Sequence, residues 1–304
     1  MRFLLCVDDD PVLEPVLAAV RWSVEISDWD QLIVLHVVPK HPLRLVGGDL
    51  PPAKIAASFL EHAEHRLSDL SVPVDTVLAQ GDPAQEILRL ADEREADLIV
   101  MGALGEPRDF LMGSVSQKVV SLAGIDVLVV RESTSRSHDL MDGYRALVAV
   151  DGSRGAEAGI EAFAGKLRAE RAAIRLVHVV ESLPTLRELA SERDRVESSL
   201  ERQSEELLSR ALKLLGRYGL EAECESRRGS PATQILEVSR ERNADLIVVG
   251  SRGQTGFRDM VLGTITQRVL RNAPCSVLCA RSFAPDSAAL QNGWSSGAWQ
   301  VGMA

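Results

Sequence analysis

The feature that most constrains this chain is that it repeats itself. Residues 81–105 read GDPAQEILRLADEREADLIVMGALG and residues 229–253 read GSPATQILEVSRERNADLIVVGSRG, with 14 of the 25 positions identical. The correspondence extends outward, FLLCVDDD at 3–10 matching ALVAVDGS at 146–153, and VLHVVP at 34–39 matching LVHVVE at 176–181. The offset is 143 and then 142 at these two matches, 148 in the long match and 150 between Gly113 and Gly263, as small loop insertions and deletions produce. In 304 residues, a repeat of this length is one domain present twice.

Each copy alternates short β-branched runs with helical stretches. In the second copy, strands are expected at 146–150, 174–180, 222–228, 245–250 and 276–280, with helices at 156–170, near 185–215, at 231–242 and at 264–272. Continuous apolar strands are buried on both faces, which requires a parallel sheet covered by helices. The fold class is α/β: two tandem copies of a doubly wound, five-stranded parallel sheet with helices on both faces. Domain 1 spans 1–131 and domain 2 spans 144–281, joined by the polar, aperiodic linker 132–143. Residues 282–304 form a Ser-, Ala- and Gly-rich tail holding Trp294 and Trp299, expected to be mobile.

Charge narrows the partners. The chain carries 34 basic and 44 acidic residues, a net charge of −10, with 4% aromatics. That balance is unsuited to phosphate-driven nucleic-acid binding or to docking on anionic membranes. No apolar run approaches the roughly 20 residues of a membrane helix, and MRFLLCVDDD reads as a strand rather than a signal peptide. Four cysteines do not make a disulfide framework. Cys275 and Cys279, four apart on the last strand, read as small buried hydrophobes, since such positions lie about 13 Å apart. A cytoplasmic location with reduced thiols is the expectation.

A doubly wound sheet binds ligands at the carboxyl ends of its strands. In domain 2 the fourth strand opens into GSRGQTGFRDMVLGTITQRV, with Gly250, Gly253 and, nine residues on, Gly263-Thr264. Gly250 and Gly253 allow close backbone approach to a ligand. Gly263 and Thr264 open a helix whose free N–H groups favour phosphate, and the Thr264 and Thr266 hydroxyls can add hydrogen bonds. Glycines also end strands and thread tight loops, so the spacing alone leaves a purely structural role open. Asp151, ending the first strand, can accept from a ribose hydroxyl or exocyclic amine, or cap the helix beginning near Ser153. Val179 can offer an apolar wall. His178 and His36 read as packed strand-end histidines.

The pattern Gly250-x2-Gly253-x9-Gly263-Thr264 after a strand, with Asp151 ending the first strand, resembles the universal stress protein family. The repeat is similar to that of its tandem members over residues 1–281. The resemblance implies ATP, or ADP or AMP, bound with magnesium. It implies that Asp151 and Val179 hold the adenosine end and that Gly250, Gly253, Gly263 and Thr264 cradle the phosphates. Gly152, Ser153, Arg252, Ile265 and Thr266 complete the expected cofactor-binding set, with no protein metal site. It also implies self-association through the last strand, 126–130 or 276–280, closed internally in a tandem chain or extended to a dimer of tandems.

Domain 1 is degraded. Its loop reads GALGEPRDFLMGSVSQKV, with seven residues rather than nine between Gly105 and Gly113. Glu106, Asp109 and the donor-less Pro107 lie in it, and Asp9 and Asp10 replace Gly152 and Ser153. The counterpart set Asp8, Val37, Gly102, Gly105, Gly113 and Ser114 is therefore expected to bind nucleotide weakly or not at all, with room for a smaller ligand. His62, His65 and the helical stretch 186–215 suggest no further site. No Walker loop, nucleophile elbow or metalloprotease motif is present. The expectation is a nucleotide-responsive stress or regulatory protein, not an enzyme beyond slow ATP hydrolysis. The alternatives are a nucleotide-free interaction scaffold and, more remotely, a hydrolase or phosphotransferase.

Overall fold

The computed structural model describes residues 1–8, 13–27, 30–39, 52–70, 72–103, 113–131, 143–181, 193–253 and 262–282. Most of the linker, the tail from Phe283 onward and the two loops 104–112 and 254–261 lie outside them. Domain 1 runs β1 (Arg2–Cys6), α1 (Leu13–Ser23), β2 (Gln31–Pro39), α2 (Pro52–Leu67), β3 (Val74–Gly81), α3 (Pro83–Glu93), β4 (Leu98–Gly102), α4 (Ser114–Leu122) and β5 (Asp126–Val130). Domain 2 repeats the order: β6 (Tyr144–Ala149), α5 (Arg154–Lys166), β7 (Ala172–Val180), α6 (Arg193–Gly216), β8 (Glu223–Arg228), α7 (Pro231–Glu241), β9 (Leu246–Gly250), α8 (Thr264–Asn272) and β10 (Ser276–Ala280).

The repeated motif folds for local reasons. In GDP and GSP, proline occupies the first turn of α3 and α7, where its missing N–H costs nothing. Asp82 caps α3 by accepting from the Gln85 N–H at 3.1 Å. In ADLIV, the aspartate staples the sheet: Asp97 accepts from the Arg2 N–H at 2.8 Å, and Asp245 from the Arg145 N–H at 2.9 Å. The arginine side chains reach back to the turns before those aspartates, at the Arg94 and Arg242 carbonyls. Identity between the copies thus falls partly on side chains that fix strand order.

All ten strands join one sheet in the order β3-β2-β1-β4-β5-β10-β9-β6-β7-β8. Every pairing is parallel except β5 with β10, which is antiparallel through Val129↔Val277, Leu128↔Leu278 and Val127↔Cys279. The strands that end each copy, open edges when each copy is taken alone, are therefore the centre of the molecule. Side chains alternate across the sheet. Phe3, Leu5, Val148 and Leu278 meet α1, α2, α5 and α6 on one face. Leu4, Leu147, Val277 and Cys279 meet α3, α4, α7 and α8 on the other. β8, reading ECESRR, lies at an outer edge with alternating exposure, and its charges guard that edge.

The seam has a local twofold. Arg131 and Arg281 follow β5 and β10, and each guanidinium donates across the seam to a helix end: Arg131 to the Leu270 carbonyl at 2.8 Å, Arg281 to that of Val120. The Arg131 N–H donates to Ser276 Oγ at 3.2 Å, and the Arg281 N–H to Asp126 Oδ1 at 2.7 Å. Asp126 also accepts from Lys166 Nζ at 2.6 Å, at the end of α5. Helix α5 stops at Lys166 rather than near 170 because the chain turns out to meet α1. Val24 and Leu167 form an antiparallel bridge, flanked by Glu25 N–H to Lys166 carbonyl and Arg168 N–H to Ser23 carbonyl. Trp22 meets Tyr144 edge-on, with centroids 5.0 Å apart.

Cys275 precedes β10 rather than lying on it, yet both Cys275 and Cys279 are buried and unpaired. Burial holds both thiols protonated, Cys279 pushed up to about 12. Because Asp126 is 6% exposed, removing its carboxylate takes the counter-charge from Lys166, whose Nζ keeps the Asp97 carbonyl at 2.8 Å, and removes the acceptor of the Arg281 N–H. Asp126→Ala is expected to lower the urea unfolding free energy by about 3 kcal/mol, whereas Asp69→Ala, on an exposed pair with Arg21, leaves it nearly unchanged.

Candidate functional site

In domain 2 the carboxyl ends of β6, β7 and β9 converge with the start of α8. Asp151 follows β6, and its Oδ1 accepts from the Ser153 N–H at 2.9 Å, a two-residue turn that leads into α5. Gly152 makes that turn with φ +77°, where a side chain would be strained. Ser153 then caps α5, accepting from the Ala156 N–H at 3.1 Å. The helix-entry role of this segment is therefore real, and it aims Asp151 Oδ2 toward the glycine loop. A Cβ at Gly253 would lie 2.8 Å from that oxygen.

Gly250 is glycine for a reason the sequence does not reveal. A Cβ there would sit within 3.0 Å of the backbone of Gly155 in α5, and a Cβ at Gly155 would meet the Arg252 carbonyl. The pair lets helix and strand touch backbone to backbone, so Gly250 has a packing role in the fold. Thr266 is likewise engaged inside the fold. It is 4% exposed, and its hydroxyl donates to the Gly250 carbonyl at 2.7 Å.

Other predicted residues face outward. Gly263 precedes α8 with no side-chain cap on the helix, and Thr264 and Ile265 are exposed in its first turn. The Gly263 N–H is tied to the Ser251 carbonyl at 2.8 Å, which sets α8 against Ser251 and Arg252. Arg252 is half-buried and shares this corner with Arg281, each positive charge opposing the other. Val179 is half-buried at the end of β7, packed toward α7 and α8. Asp151, Gly253, Arg252, Gly263 and Thr264 are thus contiguous. The nine-residue loop between the glycines lies, but for Leu262, outside the described residues.

His178 points to the opposite face from Val179, its Nδ1 2.8 Å from Ser204 Oγ, which in turn lies 2.9 Å from Ser226 Oγ. Burial lowers its pKa, with Asp151 pulling the other way. His36 in domain 1 is buried, its Nδ1 3.0 Å from the Val7 carbonyl and its ring against Phe59. Both are packed histidines. Among the described residues no group of three His, Cys, Asp or Glu could hold a metal ion, and His62 pairs with Glu14 at 3.1 Å.

In domain 1, Asp8, Val37 and Gly102 line one cleft with Val115, the residue after Ser114. Gly113 precedes α4, again without a side-chain cap. Gly105, with Glu106, Pro107, Asp109, Asp9 and Asp10, lies outside the described residues.

A model of the universal stress protein family matches residues 1–131 and again 144–281. A universal stress protein of Methanocaldococcus jannaschii is 35% identical over 82 residues, 27% of this chain and 48% of that protein. One from Mycobacterium tuberculosis is 25% identical over 307 residues, covering 92% of this chain and 96% of its own length. The crystal structure of a universal stress protein from Archaeoglobus fulgidus covers 92% of this chain and 96% of its own, with 22% identity and a TM-score of 0.60. That last likeness establishes a shared fold. No described helix is long and apolar enough to cross a membrane.

The packing role of Gly250 separates from ligand binding by mutation. Gly155→Ala and Gly250→Ala are each expected to destabilise domain 2 by about 2 kcal/mol without any ligand, read as a drop in urea midpoint. Gly253→Ala, which meets only the end of a side chain, is expected to cost less than half of that. For His178 the depressed folded pKa means that the unfolded chain binds the extra proton first. Its contribution is complete above the unfolded value of about 6.5 and is lost as pH falls through the lower, folded value. His178→Asn should accordingly flatten the fall in stability below pH of about 6.5.

Proposed function

The chain belongs to the universal stress protein family, and from that premise we propose that domain 2 binds ATP with magnesium and that the protein is a nucleotide-responsive regulator in the cytoplasm. One observation carries the reading. An uncapped helix start, Gly263-Thr264, stands beside Arg252 and Gly253, and Gly253 in turn lies against the Asp151 carboxylate. Free N–H groups at a helix start, an exposed hydroxyl and a guanidinium suit phosphate. A carboxylate at the neighbouring strand end suits the ribose or an exocyclic amine. Val179 supplies the apolar wall for the base. Magnesium would ride on the phosphates. A family member from Arabidopsis thaliana is known with AMP bound, and for the present chain the reading rests on its own residues.

The second reading, a scaffold without nucleotide, draws on the roles that Gly250, Gly152 and Thr266 already fill inside the fold. It leaves unexplained why an exposed threonine, Thr264, opens an uncapped helix against the backbone of Ser251 and Arg252. A nucleotide-binding regulator needs no turnover, and His178, committed to Ser204 on the far face of β7, is not aimed at the phosphates.

Calorimetry with ATP and magnesium is expected to give one site per chain. Arg252→Ala and Thr264→Ala should each weaken binding about tenfold, or about 1.4 kcal/mol, and Gly253→Val with Gly263→Val should abolish it. Phosphate release should match buffer. Absence of binding would leave the scaffold, and rapid release lost in Asp151→Ala would make the protein an enzyme.

A further inference from the structure

The two outer edges of the sheet are built differently. β8 carries Glu223, Glu225, Arg227 and Arg228, each in an ion pair. β3 reads VDTVLAQG, a strand of 8 residues in which Asp75 is the one charged side chain, and that carboxylate is held by Arg94. Leu78, near the middle, is 43% exposed. The strand has no proline, and its register with β2 runs without a bulge from Leu32↔Val74 to Pro39↔Gly81. Charges, prolines and bulges are the devices that keep an edge from pairing, and β3 lacks all three along its middle. Among the described residues no strand pairs with its outer side.

The ladder with β2 shows which backbone groups point outward. The Leu32 N–H donates to the Pro73 carbonyl at 3.0 Å. In a strand the N–H and C=O of one residue point to the same side, and the side alternates along the chain. Asp75, Val77 and Ala79 therefore bond to β2, while Val74, Thr76, Leu78 and Gln80 hold their groups outward. An antiparallel partner must set outward residues opposite outward residues. For a second copy of β3, pairing about Val77 sets Thr76 opposite Leu78 and Val74 opposite Gln80, so every outward residue is matched within the strand. Centring on Thr76 instead leaves Gln80 without a strand partner, and centring on Leu78 leaves Val74 without one.

The side chains suit that register. On the face that Val74 shares with α2, Leu78 lies beside Thr76 of the second copy and diagonal to its Leu78. On the opposite face, where Val77 and Ala79 pack, Val77 meets Val77 and Ala79 meets Asp75, so no like charges are opposed. The seam between β5 and β10 already joins two equivalent strands in this manner, antiparallel and apolar. Pairing two β3 edges extends the same sheet and closes on itself as a twofold contact, leaving only the charged β8 edges at the ends.

We propose that β3 is a self-association edge, at which two copies of this chain pair antiparallel about Val77 to form a twofold dimer with one continuous sheet. The contact uses no residue of the nucleotide site, so it stands or falls apart from ATP binding.

Sedimentation velocity of the full chain is expected to show a concentration-dependent dimer in the micromolar range. Leu78→Lys, which sets like charges on the diagonal, should weaken it at least tenfold. Thr76→Pro removes an outward N–H that the β2 ladder does not use and should do the same, with circular dichroism confirming that both variants fold. The register is read by crosslinking in a Cys224→Ser background, Cys224 being the exposed cysteine. Val77→Cys should link two chains under diamide, because opposed Cα atoms in this type of pair lie about 4.5 Å apart. Ala79→Cys should not, because Ala79 lies about 13 Å from its own copy. A dimer formed by exchange of halves at β5–β10 would leave β3 open and give no Val77→Cys link. A chain that stays monomeric at submillimolar concentration, a dimer unmoved by Leu78→Lys and Thr76→Pro, or linking through Ala79→Cys as readily as through Val77→Cys would each overturn the proposal.

Discussion

The antiparallel pairing of β5 with β10 is the constraint on which the rest of the molecule depends. Each five-stranded copy alone would present an apolar last strand with an unpaired row of N–H and C=O groups, and such an edge invites association. Joining the two edges satisfies both rows and places Val127, Leu128, Val277 and Leu278, all fully buried, at the middle of one sheet. The remaining outer edges are β3 and β8, of which β8 is protected by its own charges.

The pairing also explains where polar groups are spent. Arg131, Arg281, Asp126 and Lys166 reach across the seam to backbone groups and to each other. Helix α5 begins beside Asp151 and Ser153, and it ends with α1 at the Val24–Leu167 bridge. Domain 2 therefore has a helix with its first turn at the candidate site and its last turn against the other domain. The two corners themselves lie at the carboxyl ends of oppositely directed half-sheets.

Much of this is legible in the sequence, because repetition and apolar runs are signals that burial writes directly. The strands of domain 2 fall within two residues of their expected bounds, as does helix α7, and ADLIV marks both fourth strands. The roles of individual glycines are not legible. Gly250 looks like a ligand-facing glycine until its partner, Gly155, is seen opposite, a pairing of residues 95 positions apart in the chain. Thr266 misleads for a similar reason: a threonine two residues into a helix reads as solvent-facing, but its hydroxyl turns inward to the Gly250 carbonyl. Local sequence records conformation, and only the assembled sheet records which backbones touch.

The connection between the halves has a topological consequence. Between β5 and β6 stand only β10 and β9, three inter-strand steps of about 4.8 Å, or about 14 Å. The chain from Arg131 to Gly143 can reach about 40 Å when extended. The connection is therefore longer than the span requires, and it raises the local concentration of one half around the other. The same β5–β10 register can be satisfied by exchange between two chains, giving a closed pair in which every strand keeps the neighbours it has in the monomer.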